Sequence, residues 1–196
     1  RAFEQFRDDR VDRAGYDEYC SNNSWWLLDF ALFTSLHRHY KGSLWSTWPD
    51  AIKNRGPAAL DAISQVLKKN IETEKFLQYM FFRQWYSLKN YCIKKGICLI
   101  GDIPIYVHYD SADVWTHPEL FRLDDNLFPL SMAGVPPDYF SRTGQLWKNP
   151  LYCWEEHERS GFSWWIQRLE HTLSRVDYTR IDHFRGLVAY WEVLAG

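Results

Sequence analysis

Arg180 and Asp182 stand two residues apart in the run 176–186, which reads Val-Asp-Tyr-Thr-Arg-Ile-Asp-His-Phe-Arg-Gly. Side chains alternate along a strand, so Tyr178, Arg180 and Asp182 are expected to share one side of it. A guanidinium beside a carboxylate favours the ionised acid. Asp182 should therefore stay charged at neutral pH and be available as a nucleophile or as a partner for developing positive charge. Taken alone, an Arg-x-Asp pair at a strand end is more often a structural ion pair than a catalytic one. Asp102 stands in a similar place, just after the apolar run 97–100. Other chemistries find little support. The seven histidines are dispersed, with no His-x-x-x-His pair and no calcium loop of EF-hand type, so no metal is expected. A Gly-rich phosphate loop and a Ser nucleophile elbow are also missing, and no cofactor is expected.

The elements that must position these residues follow from periodicity. Residues 1–23 are compatible with a short helix and a connector. Ser24 can cap a helix with Trp25, Leu28, Leu32 and Leu36 on its apolar side, closing on His37, Arg38, His39 and Lys41 before Gly42. Trp45, Trp48 and Pro49 fall in a connector. Gly56-Pro57 opens another helix, with Leu60, Ile63 and Leu67 on one face. From about Ile71 to Lys95, Leu77, Phe81, Trp85, Leu88 and Cys92 describe a long amphipathic helix that Gly96 stops with a left-handed cap. Then the period changes. Ile97 to Ile100 reads as a strand buried on both faces, ending at Gly101-Asp102. Phe162, Trp165, Ile166, Leu169 and Leu173 make a second helical stripe, followed by the strand at 176–182. This order suits an α/β sheet or barrel of parallel strands, in which chemistry gathers at the carboxyl ends of the strands.

Between the two strands, residues 104–161 exceed any ordinary connection and read as a functional loop or a small subdomain. Pro136-Pro137 stiffens this segment, while Gly134 and Gly144 permit tight turns. Tyr139, Phe140 and Trp147 should be held outward over the strand ends.

Composition narrows the partners. A length of 196 residues fits one domain with a sizeable core. With a net charge of −2 there is no basic field for nucleic acid, and no apolar run reaches membrane-spanning length. Eleven Trp, twelve Tyr and twelve Phe exceed the ordinary needs of such a core. Some of these rings should line a groove suited to sugars, nucleobases or aromatic ligands. The four cysteines are irregularly spaced and read as reduced thiols of an intracellular protein. The sequence opens on Arg1 rather than Met, which is compatible with a removed targeting segment.

Four blocks, in this order, carry a resemblance. They are Gly-Asp-Ile-Pro-Ile-Tyr-Val at 101–107 with Asp-Ser-Ala-Asp-Val-Trp at 110–115; 133–141, which contains Pro-Pro-Asp-Tyr-Phe-Ser; Gln-Leu-Trp-Lys-Asn-Pro-Leu-Tyr at 145–152; and Arg-Ile-Asp-His-Phe-Arg-Gly at 180–186. Across nearly the whole chain the sequence resembles the 4-alpha-glucanotransferases (amylomaltases or disproportionating enzymes) of the alpha-amylase superfamily. The resemblance implies an α/β fold, part of a (β/α)8 TIM barrel with inserted helical and loop subdomains. Residues 1–96 would be a mainly helical insertion leading into the barrel, and 97–196 a barrel portion with strands near 97–102 and 176–182 and a substrate lid at about 104–161.

The resemblance implies, further, that Asp182 is the nucleophile at the end of the fourth barrel strand and Arg180 its supporting arginine. It places Asp102 and Tyr106 at the donor site after the third strand. Asp138, Tyr139, Phe140 and Ser141 belong to the loop arching over the acceptor sites, with Trp147, Asn149 and Pro150 in the same lid and His183 beside the nucleophile. The family usually has Gly before Asn-Pro; Lys148 stands there, a change that could alter the lid's turn or reach. The family's acid/base Glu and third Asp lie on later strands and are not expected within 1–196. The expected partners are alpha-1,4-glucans and malto-oligosaccharides, in starch, glycogen or maltodextrin metabolism, in the cytoplasm or in a plastid. A non-catalytic alpha-glucan-binding module and an amylase-type hydrolase remain alternatives.

Overall fold

The computed structural model describes residues 3, 4, 6, 13–139 and 141–194. Its internal contacts divide the chain into two compact units, residues 1–87 and 88–196. The first is helical: α1 (Arg13–Asn22), α2 (Ser24–His39), α3 (Asp50–Lys53), α4 (Pro57–Val66) and most of α5 (Lys68–Lys94). Pro57 occupies the first turn of α4, as its missing N–H requires. Ser24 is already helical. Asn23 precedes it and spends its side chain elsewhere, donating to the Tyr19 carbonyl (2.8 Å) and accepting from the Trp26 indole (3.0 Å).

The buried faces match those expected only in part: Leu32, Leu36 and Cys92 are buried as the spacing predicts, but other positions are not. On α2 the core side carries Leu27, Ala31, Leu32 and Leu36, while Trp25 and Leu28 are exposed. On α5 it carries Ile71, Phe76, Tyr79 and Phe82, while Leu77, Phe81 and Leu88 are exposed. Both helices are apolar on several sides, so spacing alone does not select one stripe. Tyr16, Phe76 and Tyr79 pack with Phe3, Phe6 and Tyr19 into an aromatic cluster. Trp45 and Trp48 lie in the connector between α2 and α3, as expected, and both are buried in the core. No helix among the described residues is long and apolar enough to cross a membrane.

In the second unit, Gly96 (φ 69°) closes α5 as expected. The Ile97 N–H returns to the Cys92 carbonyl (2.9 Å) and that of Gly96 to Ile93 (3.0 Å), which satisfies the last carbonyls of the helix. Ile97 is thereby committed to the cap, and the strand begins later than expected, as β1 (Ile100–Pro104). Neither Ile97 nor Ile100 is covered; Ile100 is 76% exposed. Among the described residues β1 pairs only with β4 (Tyr178–Asp182), in parallel, with Asp102 opposite Arg180 and Pro104 opposite Asp182. Gly101 is required at this crossing, because a Cβ would come within 2.9 Å of Val176. Helix α8 (Ser163–Arg175) leads into β4.

The long segment between the strands carries α6 (Ala112–Thr116), β2 (Ser131–Val135), β3 (Gln145–Pro150) and α7 (Trp154–Arg159). It is not closed on itself. Strand β5 (Trp191–Leu194), which follows β4, pairs with β2 to complete an antiparallel sheet in the order β3-β2-β5. Gly144 turns with φ 73°, as expected. Gly134 instead lies within β2, where a Cβ would come within 2.5 Å of the Gln145 carbonyl oxygen.

Candidate active site

Three charged side chains meet on one face of the β1–β4 pair. Asp102 and Arg180 stand at the middle of their strands, since β1 runs on past Asp102 to Pro104, and Asp182 stands at the carboxyl end of β4. Arg180 donates to both oxygens of Asp102, Nε to Oδ1 at 3.0 Å and Nη2 to Oδ2 at 2.5 Å, and the same Nη2 lies 3.5 Å from Asp182 Oδ1. The parallel register causes the first contact and strand alternation the second. Sequence reasoning anticipated the Arg180–Asp182 proximity. It did not anticipate that the arginine's closest partner comes from a strand 78 positions away. The hydrogen bonds from Arg180 hold the Asp102 carboxyl below the usual carboxylate range. All three side chains are open to solvent, Asp182 at 59%.

Beside them stands an aromatic wall. His183 takes a left-handed conformation (φ 50°) immediately after β4 and presents its ring edge-on to Trp147 at 4.9 Å. Trp147 is oriented by a hydrogen bond from its indole to Gln145 (2.9 Å). Behind both lies Tyr106, buried and stacked on Tyr152 at 6.0 Å, with no partner for its hydroxyl. Burial, and then Tyr190, push that hydroxyl's pKa up to about 12. Gly186 keeps this corner clear, since a Cβ there would lie within 3.3 Å of His183, Ile105 and Tyr106.

The residues expected to form a lid differ in what they touch. Asp138 and Ser141 tie the loop to itself: the Ser141 N–H donates to Asp138 Oδ1 (2.7 Å), and the Ser141 hydroxyl to the Gly144 carbonyl (2.6 Å). Tyr139 is 99% exposed, whereas Phe140 lies outside the described residues. Asn149 donates to the Val107 carbonyl (2.7 Å), anchoring β3 beside the strand end, and Pro150 is fully buried and presents no surface to a ligand. Lys148, between Trp147 and Asn149, is left-handed with φ 62°. There the pairing of β2 with β3 shifts register, a bulge that turns Trp147 toward His183.

Other contributors were not singled out from sequence. Arg185 and Trp191 are such residues: with Gly134, Pro136, Asp138 and His183, which sequence reasoning did name, they line a cavity of about 400 Å³ between the segment after β2 and the turn after β4. Arg168 of α8 donates to the carbonyls of Pro104 (2.6 Å) and Ile105 (3.3 Å) and to the Tyr152 hydroxyl (3.3 Å), fixing the end of β1 from behind. Its signal in the sequence was an arginine on the helix before β4, which spacing does not tell apart from a surface charge. Among the described residues no three His, Cys, Asp or Glu side chains lie close enough together to hold a metal ion.

The sequence model described as 4-alpha-glucanotransferase matches residues 1–196. The chain belongs to the 4-alpha-glucanotransferase family. Within it, the 4-alpha-glucanotransferase of Aquifex aeolicus is 46% identical over 196 residues, all of this chain and 39% of the relative. That of Thermus thermophilus is 47% identical over 94% of this chain and 37% of its own length. The chloroplastic/amyloplastic 4-alpha-glucanotransferase of Solanum tuberosum is 45% identical over 88% of this chain and 30% of its own. Among solved structures, amylomaltase from Streptococcus agalactiae in complex with acarbose superposes with a TM-score of 0.93 at 42% identity, covering 98% of this chain and 39% of that one. The chain is a mixed α/β structure spanning about two fifths of the length of the first two relatives.

Proposed function

We propose that Asp182 is the nucleophile of a retaining 4-alpha-glucanotransferase and that this chain carries the donor-side wall and the lid of its active site. The observation that carries the reading is the open carboxylate at the end of β4, 3.5 Å from Arg180 and next to the wall formed by Trp147 and His183. Retention requires two carboxyl groups about 5 Å apart, one attacking and one donating a proton. Asp182 would attack the anomeric carbon of an alpha-1,4-glucan, breaking its bond to the 4-oxygen of the next glucose, and the reducing-end part would leave with the proton of the general acid. The glucosyl ester would then pass to a hydroxyl of a second malto-oligosaccharide. Asp102 is unsuited to donate the proton, because Arg180 favours its ionised form and a general acid needs the opposite shift. The acid therefore comes from elsewhere in the complete family fold.

On this reading β1 and β4 are neighbouring strands of a (β/α)8 barrel, 1–96 is a helical insertion leading into it and 104–161 is a substrate lid. Trp147 and Tyr139 offer ring faces to glucose, Asp138 and Ser141 set the loop that carries Tyr139, and His183 flanks the reacting carbon. Phe140 would join them. Arg180 and Asp102 act on Asp182 by fixing its charge and position. Covering the site favours a sugar over water as acceptor. The reading belongs to glucan metabolism in the cytoplasm, with a plastid as the alternative.

The test replaces Asp182 in the complete enzyme. Asp182→Ala should lose nearly all maltotriose disproportionation while acarbose still binds. A variant that keeps its product pattern would show that the site is a binding module and not a nucleophile.

A further inference from the structure

His157 lies outside the reaction just described. Its side chain is entirely buried (0% exposed) on the short helix α7, and neither Nδ1 nor Nε2 makes a well-formed hydrogen bond, although the Leu120 carbonyl lies near enough to act on the ring. The ring is enclosed by Tyr152 (5.2 Å, edge-on), Trp154 (5.4 Å) and Trp164 (5.8 Å). A neutral imidazole fits such a place at the cost of its unmade hydrogen bonds, and a charged one does not fit. Tyr152 links this cluster to the strand end. Its hydroxyl donates to the Ile105 carbonyl at 2.7 Å, and its ring supports Tyr106, which in turn backs Trp147 at 6.2 Å.

We propose that His157 is an acid-sensitive latch: neutral, it lets the cluster of Tyr152, Trp154 and Trp164 close against the end of β1, and protonated, it opens the cluster and frees Ile105 and Tyr106. The charged groups facing it are few. From the turn at Pro118–Leu120, Glu119 acts on it while also pairing with His117 at 3.4 Å. From α8, the Arg168 guanidinium lies over Trp164 (5.1 Å) and Trp165 (5.0 Å) and 3.3 Å from the Tyr152 hydroxyl, adding positive charge behind the rings. On its own helix Glu156 pairs with Arg159 at 2.6 Å, and Glu155 and Glu158 are exposed. Burial lowers the histidine's pKa from its usual 6.5, against smaller opposing pulls from the Leu120 carbonyl and Glu119.

The sign follows from linkage. A base with a depressed folded-state pKa contributes stability that is present above the unfolded-state value and lost as pH falls below it. Below pH 6.5 the unfolding equilibrium constant should therefore rise by up to about tenfold per pH unit until the native ring protonates.

The proposal does not depend on the transfer reading, and it is tested in the complete protein. Urea unfolding would be followed from neutral pH to mildly acidic pH for the wild type and for His157→Met, which fills similar space without a titrating group. The ratio of their unfolding constants should rise as pH falls below 6.5, by no more than about fivefold across the first pH unit. Parallel profiles would overturn the latch. Should His157→Met fail to fold, imidazole NMR of the wild type decides, with the ring assigned through its contacts to Tyr152 and Trp164. That ring should stay neutral below 6.5 and protonate only as the Tyr152 and Trp164 signals lose their native dispersion. Protonation near 6.5 with those signals unchanged would overturn it equally.

Discussion

Lys148 shows how a single residue can carry strain beside the Trp147–His183 contact. Its left-handed backbone (φ 62°) costs a residue with a Cβ about 1–2 kcal/mol, a cost that glycine avoids. Lys148→Gly should therefore raise stability by about 0.5–1 kcal/mol after the added freedom of the unfolded chain is subtracted. The urea midpoint measures this, and a lower midpoint in the variant would mean that the lysine stem packs usefully. At the same scale, Asp102 and Arg180 make a prediction about pH. Arg180 depresses the Asp102 pKa, so the pair's contribution is complete above the unfolded-state value of 3.8 and fades only as pH falls through the lower folded one. Carboxyl NMR should find Asp102 titrating below 3.8, and Arg180→Gln should return it to the ordinary range. An unchanged midpoint in that variant would show that the guanidinium is not the cause.

At the scale of elements, α8 does more than precede β4. Its Arg168 reaches the two carbonyls at the end of β1 and the Tyr152 hydroxyl at once, which a planar guanidinium can do and an ammonium cannot. Arg168→Lys is expected to destabilise the chain by about 1–2 kcal/mol. It should also raise amide exchange at Ile105 and Tyr106 beyond that global change, whereas a uniform rise would reduce Arg168 to a surface charge. Element boundaries governed by glycine or proline were legible in the sequence. Gly96 ends α5 and Pro57 starts α4, because each imposes a backbone geometry that needs no distant partner. Helix faces were less legible, since the run from Trp25 to Phe33 is apolar almost all round and only packing selects Leu27 and Ala31 over Trp25 and Leu28. Of the candidate site, the Arg180–Asp182 neighbourhood came from strand alternation. The Asp102–Arg180 pair, the β2–β5 pairing and the buried position of Pro150 depend on long-range register that local pattern does not contain.

At the scale of the whole molecule, much apolar surface stands uncovered around the two-stranded sheet. Ile100 and Tyr178 on that sheet are 76% and 62% exposed, Val188 beyond it is 85% exposed, and Leu194 on β5 of the antiparallel sheet is 79% exposed. A groove of about 650 Å³ lined by Trp154, Trp165, Ile166, Leu169, Ile181 and Leu187 lies between the helices and β4. Among the described residues β1 has one paired edge and β4 one, leaving an open edge on each. Open strand edges flanked by apolar side chains recruit other strands unless something covers or charges them. The 196-residue chain by itself should therefore bind a hydrophobic dye such as ANS strongly, and its sedimentation coefficient should increase with concentration. Ile100→Lys places a charge on the exposed edge of β1. The replaced side chain is largely in water already, so the change should cost no more than about 0.5 kcal/mol. The variant should weaken the self-association and leave the unfolding midpoint nearly unmoved. If it self-associates as the parent does, the contact forms elsewhere, and the groove along α8 becomes the surface to charge next.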